Sequence, residues 1–167
     1  MKYILSFLVL FSGFSALALE VGDTAVDVKI QQVMPNDTTV DGNLLEATAN
    51  GQFVLLEFAT TWCPTCQSNL PILSTLAGEI KSTAATRLVY VDDNEADIRG
   101  QIQEKRELIS FPAVLDFKKV VWHSGYSTGA VPTLFVVTPA GKIVFKHVGE
   151  LDAGILKQIK AIVGGAQ

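Results

Sequence analysis

The chain has 167 residues, 49% of them hydrophobic, which is enough to bury the core of one compact domain. Its formal net charge is -4, and its 13 lysines and arginines are scattered without forming a basic run. A nucleic-acid partner is therefore not expected, because binding to phosphates requires clustered positive charge.

The N terminus has the pattern of a secretory signal. A short basic start precedes an apolar run over residues 4 to about 14, and Ala16-Leu17-Ala18 follows it. This arrangement predicts a signal peptide over residues 1–18 that is cleaved after Ala18. The alternative is an uncleaved membrane anchor, because the apolar character continues to Leu19 and approaches the length that crosses a bilayer. Both alternatives predict a periplasmic or otherwise exported protein.

Residues 19–167 are predicted to form a single domain that opens with strands and turns. Val26, Val28 and Ile30 alternate with polar residues, which is typical of a half-buried strand. A second short strand is expected at residues 38–40, between segments rich in turn-forming residues.

The middle of the chain alternates between strand and helix patterns. Residues 53–58 are almost continuously apolar, as in a strand buried on both faces, and Glu57 is the exception. A helix is predicted over residues 63–80, a short strand at 88–91, and a second helix over about 95–109. This alternation predicts an α/β sheet with right-handed crossovers.

The last third of the chain predicts a hairpin followed by a helix. Residues 118–126 are weakly patterned and indicate a loop or a single helical turn. Two apolar strands, 133–137 and 142–148, flank a turn that contains proline and glycine. Asp152 is suited to cap a final amphipathic helix that ends at Gly164-Gly165.

The two cysteines of the chain, Cys63 and Cys66, lie at a predicted junction between strand and helix. A pair with this spacing can close a small disulfide ring and open it again. A helix N-terminus lowers the pKa of a thiol there, so Cys63 is predicted to be the nucleophile and Cys66 the resolving thiol. A purely structural disulfide is less expected, because so short a loop constrains the unfolded chain very little.

Further motifs surround the cysteines. They are Trp62-Cys63-Pro64-Thr65-Cys66, Pro71, Phe111-Pro112-Ala113-Val114-Leu115-Asp116, and the segments at 129–137 and 141–149. In this order, over roughly residues 20 to 163, the chain resembles the thioredoxin-like proteins, and among them the exported TlpA, ResA and CcmG group of thiol–disulfide oxidoreductases. The resemblance implies a thioredoxin fold, in which helices flank a central mixed β-sheet, with an N-terminal extension of a strand or hairpin.

The resemblance also implies a substrate-binding segment around Pro132. This residue is expected to be a cis proline packed beside the cysteines, leaving the Val131 backbone to pair with an extended substrate. Thr133 is expected to contribute to the same surface. Without the other motifs, Pro132 would be interpreted as an ordinary proline at a strand edge.

The remaining expected contacts with substrate lie around the cysteines. Trp62 is expected to cover the disulfide and to shape the surface that substrates meet, unless its ring simply packs against the protein. Pro64 and Thr65, which lie between the cysteines, are expected to belong to the same surface.

Glu57 lies six positions before Cys63, where thioredoxins carry a buried acid. A carboxyl group in an apolar strand is expected to have a raised pKa. That pKa would suit Glu57 to accept the proton of Cys66, directly or through a water, when that thiol attacks. The alternative is a carboxylate that reaches the surface or pairs with a lysine.

The residues between the cysteines favour a reductant. Pro64 and Thr65 place no charge or imidazole there to stabilise a thiolate, as a strong oxidant would require. The resemblance implies reduction of disulfides in exported proteins, such as apocytochrome c during cytochrome c biogenesis, or another thiol enzyme. It also implies a membrane thiol-transfer donor of the DsbD or CcdA type, and no cofactor is expected.

Two other functions remain open. One is a copper-binding or other metal-binding module that uses His123 or His147, although both are expected at the surface. The other is a structural or adaptor domain with an inert disulfide. A peroxiredoxin site is not predicted, because Leu56 stands where the P-x-x-x-T-x-x-C pattern has its proline.

Overall fold

The computed structural model describes residues 18–92 and 94–165. The signal peptide predicted over residues 1–18 lies outside this part of the chain, apart from its last residue. Among the described residues, no helix combines the length and the apolar character needed to cross a bilayer.

The strands and helices follow the predicted alternation. The strands are β1 Lys29–Val33, β2 Thr39–Asn43, β3 Phe53–Ala59, β4 Ala84–Tyr90, β5 Ala113–Leu115, β6 Thr133–Val137 and β7 Ile143–Val148. The helices are α1 Pro64–Ile80, α2 Glu95–Glu104 and α3 Ala153–Gly164. A short 3₁₀ helix at Glu46–Asn50 and a π-helical segment at Trp122–Tyr126 complete the described elements.

The strands form one mixed sheet in the order β2-β1-β5-β4-β3-β6-β7. Strands β3, β4 and β5 run parallel, whereas β6 and β7 form an antiparallel hairpin next to β3. The predicted α/β class and thioredoxin fold are therefore confirmed, and the β1–β2 hairpin is the N-terminal extension. Because β3 is flanked by β4 and β6, the strand that leads to the cysteines lies inside the sheet.

Two hydrophobic clusters cover the two faces of this sheet. Side chains alternate between the faces of a strand, so Leu55 and Ala59 join the cluster that contains both cysteines, whereas Leu56 and Phe58 join the other. By the same alternation, Glu57 lies on the face that carries the cysteines.

Helix α1 is built from local signals. Cys63 is its N-cap, and Pro64 occupies the first turn, where a missing N–H is tolerated. The helix continues through Pro71 to Ile80. It buries a stripe of side chains against the sheet, namely Cys66, Asn69, Leu70, Leu73, Leu76, Ala77 and Ile80.

Strand β4 is longer than predicted. It begins at Ala84, four residues before the predicted start, because this part of the strand pairs with β3. Arg87 interrupts the apolar pattern there, yet it is buried, because Gln32 and Glu46 accept hydrogen bonds from its guanidinium.

Strand β1 and helix α2 also differ from their predicted limits. Strand β1 begins at Lys29 and not at Val26, because its pairing with β2 and β5 runs from Lys29 to Val33. Helix α2 ends at Glu104, whereas the pattern predicted about residue 109. Ile109 still reaches the core, from a turn closed by hydrogen bonds to the Lys105 carbonyl.

Candidate active site

Cys63 and Cys66 form a disulfide at the N-terminus of α1, with their Cα atoms 5.3 Å apart. The Cys66 backbone N–H donates a hydrogen bond to Cys63 Sγ at 3.1 Å. Both residues are buried, with about 5% of Cys63 exposed. A thiolate on Cys63 would therefore be stabilised by a helix N–H and by the positive end of the helix dipole.

Asp92 holds the loop that precedes Cys63. Both of its carboxylate oxygens accept from the Thr61 backbone N–H, at 3.0 and 3.1 Å, and one also accepts from the Thr61 hydroxyl at 2.8 Å. Asp92 was not singled out by the sequence analysis, and the N-cap of α2 is Asn94. The sequence signal for the role of Asp92 is an acidic residue just after the buried parallel strand β4.

The segment around Pro132 lies next to the disulfide. The Val131–Pro132 peptide bond is cis, and Val131 O is 3.8 Å from Cys63 Sγ. Thr133 is fully buried, and its hydroxyl donates to Ala130 O at 2.7 Å and contacts Thr128 Oγ1 at 2.8 Å. The Thr133 side chain therefore supports the loop from inside and does not face the surface on which it was expected.

A groove of about 230 Å³ runs beside the cysteines. Trp62, Trp122 and Val131 line it, and Trp62 is 72% exposed. The ring of Trp122 is held from behind by Phe58, with the ring centroids 5.5 Å apart. Since most of Trp62 is exposed, its ring does not pack into the protein. The groove offers aromatic surface to a partner, with the exposed Pro64 and Thr65 nearby in the sequence.

Glu57 is 1% exposed and neither reaches the surface nor pairs with a lysine among the described residues. Burial raises its pKa from 4.5 to about 7, and a hydrogen bond from Asn69 partly opposes this shift. The Asn69 Nδ2 donates to Glu57 Oε1 at 3.4 Å, whereas Oε2 is buried without a hydrogen-bond partner in the described part of the chain. Glu57 therefore exchanges its proton much closer to neutral pH than an exposed carboxyl group does.

Glu57 and Cys66 border the same small cavity, of about 10 Å³. It is lined by both residues and also by Tyr90 and Gln101. This volume accommodates about one water molecule. Burial raises the pKa of Tyr90, and the charges of Asp92 and Glu57 add to that effect. Tyr90 is therefore neutral at physiological pH, and Glu57 is the group in this cavity that can accept a proton from the Cys66 thiol.

The two histidines do not join the cysteines. His123 is exposed, and His147 Nε2 is 2.8 Å from Glu150 O. Within residues 18–92 and 94–165, no group of three or more His, Cys, Asp or Glu side chains is arranged to hold a metal ion.

A thioredoxin fold with a C-x-x-C disulfide at a helix N-terminus and a cis proline opposite defines a thioredoxin-like protein. The chain belongs to the redoxin family, whose sequence model, described as Redoxin, matches residues 20–162. In sequence it is similar to proteins named thiol-disulfide oxidoreductase ResA.

Two relatives and one solved structure illustrate the similarity. A thiol-disulfide oxidoreductase ResA of Bacillus cereus is 30% identical over 114 residues, which cover 68% of this chain and 65% of that relative. The ResA of Bacillus thuringiensis is 28% identical over 162 residues, or 91% of this chain and 92% of the relative. The thioredoxin domain of a thiol-disulfide oxidoreductase from Bacteroides vulgatus has a TM-score of 0.70 at 23% identity, covering 87% of this chain and 99% of that domain.

Proposed function

We propose that this protein is a thiol–disulfide oxidoreductase that reduces disulfides in exported proteins by mixed-disulfide exchange. The observation that carries the proposal is the Cys63–Cys66 disulfide at the N-terminus of α1, beside the Val131–Pro132 segment and the exposed Trp62. The names of the relatives, thiol-disulfide oxidoreductases, support the same reaction class.

The reaction begins with the dithiol form. The Cys63 thiolate attacks one sulfur of a substrate disulfide, so that a Cys63–substrate bond forms and the second substrate sulfur leaves as a thiolate. Glu57 then accepts the Cys66 proton through the cavity, and the Cys66 thiolate attacks Cys63 Sγ. The first substrate sulfur leaves, two electrons have passed to the substrate, and the Cys63–Cys66 disulfide is restored. A dithiol donor must then reduce it for another cycle.

Reduction is the proposed direction for two reasons. Pro64 and Thr65 provide no cation or imidazole that would stabilise the Cys63 thiolate. In addition, the buried carboxylate of Asp92 accepts hydrogen bonds from Thr61, two residues before Cys63. A negative charge there disfavours the thiolate and thereby the dithiol form, which makes the dithiol more readily oxidised by substrates.

Location and partners form the second part of the proposal. The pattern of residues 1–18 supports export, by a cleaved signal or by an anchor. Clients would be apocytochrome c or another thiol enzyme, and electrons would come from a membrane thiol transporter of the DsbD or CcdA type. The groove lined by Trp62, Trp122 and Val131 suits an apolar side chain next to the client cysteine.

The test is insulin-disulfide reduction with dithiothreitol as the electron source. The wild type should accelerate the reaction, and Cys63→Ser and Cys66→Ser should each abolish it. Cys66→Ser should also accumulate a mixed disulfide, visible by mass spectrometry, because the resolving thiol is missing. An inert structural disulfide would instead leave wild type and both variants equally inactive.

The reduction potential tests the direction. Titration against glutathione and dithiothreitol buffers should give a value near about -270 mV, as for thioredoxin. A value near about -120 mV, as for a strong periplasmic oxidant, would contradict the proposed direction.

A further inference from the structure

Asn69 is a polar residue in an otherwise apolar stripe of α1. It lies three residues after Cys66 and is fully buried. A buried amide must find partners for its donors and its acceptor, or its burial costs free energy. The partners of Asn69 therefore show what it does in the fold.

Three elements meet at the Asn69 amide. Its Oδ1 accepts the Leu151 backbone N–H at 3.0 Å. Its Nδ2 donates to Gly149 O at 3.1 Å and to Glu57 Oε1 at 3.4 Å. The backbone N–H can face only an acceptor and the carbonyl only a donor, so these two backbone contacts determine the orientation of the amide. That orientation leaves an N–H directed at Glu57.

The same contacts connect Glu57 to the substrate-binding segment. The Gly149 backbone N–H donates to Pro132 O at 3.0 Å, while the Gly149 carbonyl accepts from Asn69. One hydrogen-bonded path thus runs from Pro132 through Gly149 and Asn69 to the Glu57 carboxyl. The Glu57 carboxyl and the segment proposed to bind substrate are therefore held by the same set of hydrogen bonds.

Asn69 also makes the two Glu57 oxygens unequal. Oε1 is held by the amide, whereas Oε2 is without a partner among the described residues. The cavity that Glu57 shares with Cys66 is large enough for about one water. We propose that Asn69 is a positioning residue that holds the Glu57 carboxyl in the orientation from which it accepts the Cys66 proton. This proposal rests on the proposed function, since it assigns a role within the resolving step.

Other groups face Glu57 from each neighbouring element. Cys66 comes from α1, Tyr90 from β4 and the neutral Gln101 from α2, and the charge of Asp92 lies near Tyr90. Leu88 and Leu134, the partners of Glu57 in the sheet, are apolar. Among these groups, the Asn69 amide is the one that donates a hydrogen bond to the carboxyl.

The test measures the resolving step alone. Reduced protein is mixed with 5,5′-dithiobis(2-nitrobenzoate), and attack by Cys63 releases the first thionitrobenzoate. Attack by Cys66 releases the second, and its rate is followed by stopped flow from about pH 5 to about pH 9. In the wild type, this rate should rise with an apparent pKa that belongs to Glu57 and Cys66 together.

The informative variant is Asn69→Asp, which keeps an acceptor for Leu151 and replaces the donor with a carboxylate. A second negative charge beside Glu57 raises its pKa. The pH profile of the resolving step should therefore move up by about one pH unit or more, and the rate of that step near neutral pH should fall about tenfold. The matched control is Ser68→Asp, which adds the same charge on the exposed side of the same helical turn. Identical profiles for the two variants would overturn the proposal.

A double-variant comparison isolates the contact. In the Glu57→Gln background, Asn69→Asp should no longer shift the pH profile beyond what Ser68→Asp does. A shift of the same size in that background would show that Asn69 acts on Cys66 without Glu57, and the proposal would fail. The insulin assay on the wild type tests the proposed function separately. An inactive wild type would contradict the proposed function, whereas the role of Asn69 would still be decided by the pH profile of the resolving step.

A measurement on the wild type covers the case in which Asn69→Asp does not fold. The side-chain ¹⁵N and ¹H signals of Asn69 are followed by NMR through the titration of Glu57, whose pKa is about 7. They should shift with the same midpoint, and the shift should disappear in Glu57→Gln. The exposed Asn50 is the internal control. Asn69 signals that do not change through this range would refute the contact.

Discussion

Replacement of Glu57 by glutamine removes a buried group whose ionisation opposes folding. In the folded protein the pKa of Glu57 is about 7, compared with 4.5 when it is exposed. Between these values the folded state retains a proton that the unfolded state has lost. Stability therefore falls as pH rises from about 4.5 to about 7 and then levels off.

The size of the effect follows from the two pKa values. The change from 4.5 to about 7 corresponds to about 3 kcal/mol, an order-of-magnitude figure for a fully buried carboxyl. Glutamine cannot ionise, and its carbonyl oxygen can still accept from Asn69. The stability of Glu57→Gln relative to wild type should thus increase by about 3 kcal/mol between acidic pH and about pH 8.

The assay is urea unfolding of the oxidised proteins at intervals from about pH 4 to about pH 8.5, with the free energy of unfolding obtained by linear extrapolation. Glu107→Gln, which removes an exposed carboxylate, controls for the change in net charge. Parallel stability curves for wild type and Glu57→Gln over this range would refute the reasoning. They would mean that water or a rearranged side chain solvates the ionised carboxyl.

Three further changes test the site and its support. Trp62→Ala should change the free energy of unfolding by less than about 0.5 kcal/mol, because the ring is exposed. It should raise KM for insulin several-fold without affecting the reduction of dithiobis(nitrobenzoate). An unchanged KM would exclude a role in binding protein substrates. Asp92→Ala should lower the free energy of unfolding in urea by about 2 to 3 kcal/mol, because the N–H and hydroxyl of Thr61 lose their acceptor. Asp92→Asn should lower it by less, and equal losses for the two variants would contradict this explanation. Leu73→Ala should cost about 2 to 5 kcal/mol through loss of buried contacts, against less than about 0.5 for the exposed control Thr65→Ala.

The elements predicted well are those with local signals. The apolar run of β3, the stripe of α1 and the Asp152 cap of α3 are each encoded within a few residues. Periodicity and capping act over one or two turns of chain, so they are readable without the fold. The β6–β7 hairpin was predictable for the same reason, since its turn residues lie between its strands.

The elements predicted less well depend on distant partners. The early start of β4 requires that Arg87 be buried, and this depends on Gln32 and Glu46, more than 40 residues away in sequence. The inward position of Thr133 follows from the loop at Thr128 and Ala130 and not from its own strand pattern. Non-local hydrogen bonds of this kind leave no periodic trace in the sequence.

The sequence by itself determined the reactive pair. Two cysteines with C-x-x-C spacing, a strand before them and a helix after them are local features, and local geometry alone places Cys63 at a helix N-terminus. The tertiary structure decided what surrounds that pair. The sheet order and the alternation of side chains put Glu57 on the face of the cysteines. Folding also brings Val131 beside Cys63, Asp92 to Thr61 and Gly149 to Asn69. These residues are far apart in sequence and are joined by burial and by the need of each buried polar group for a partner, so only the folded chain shows how they act together.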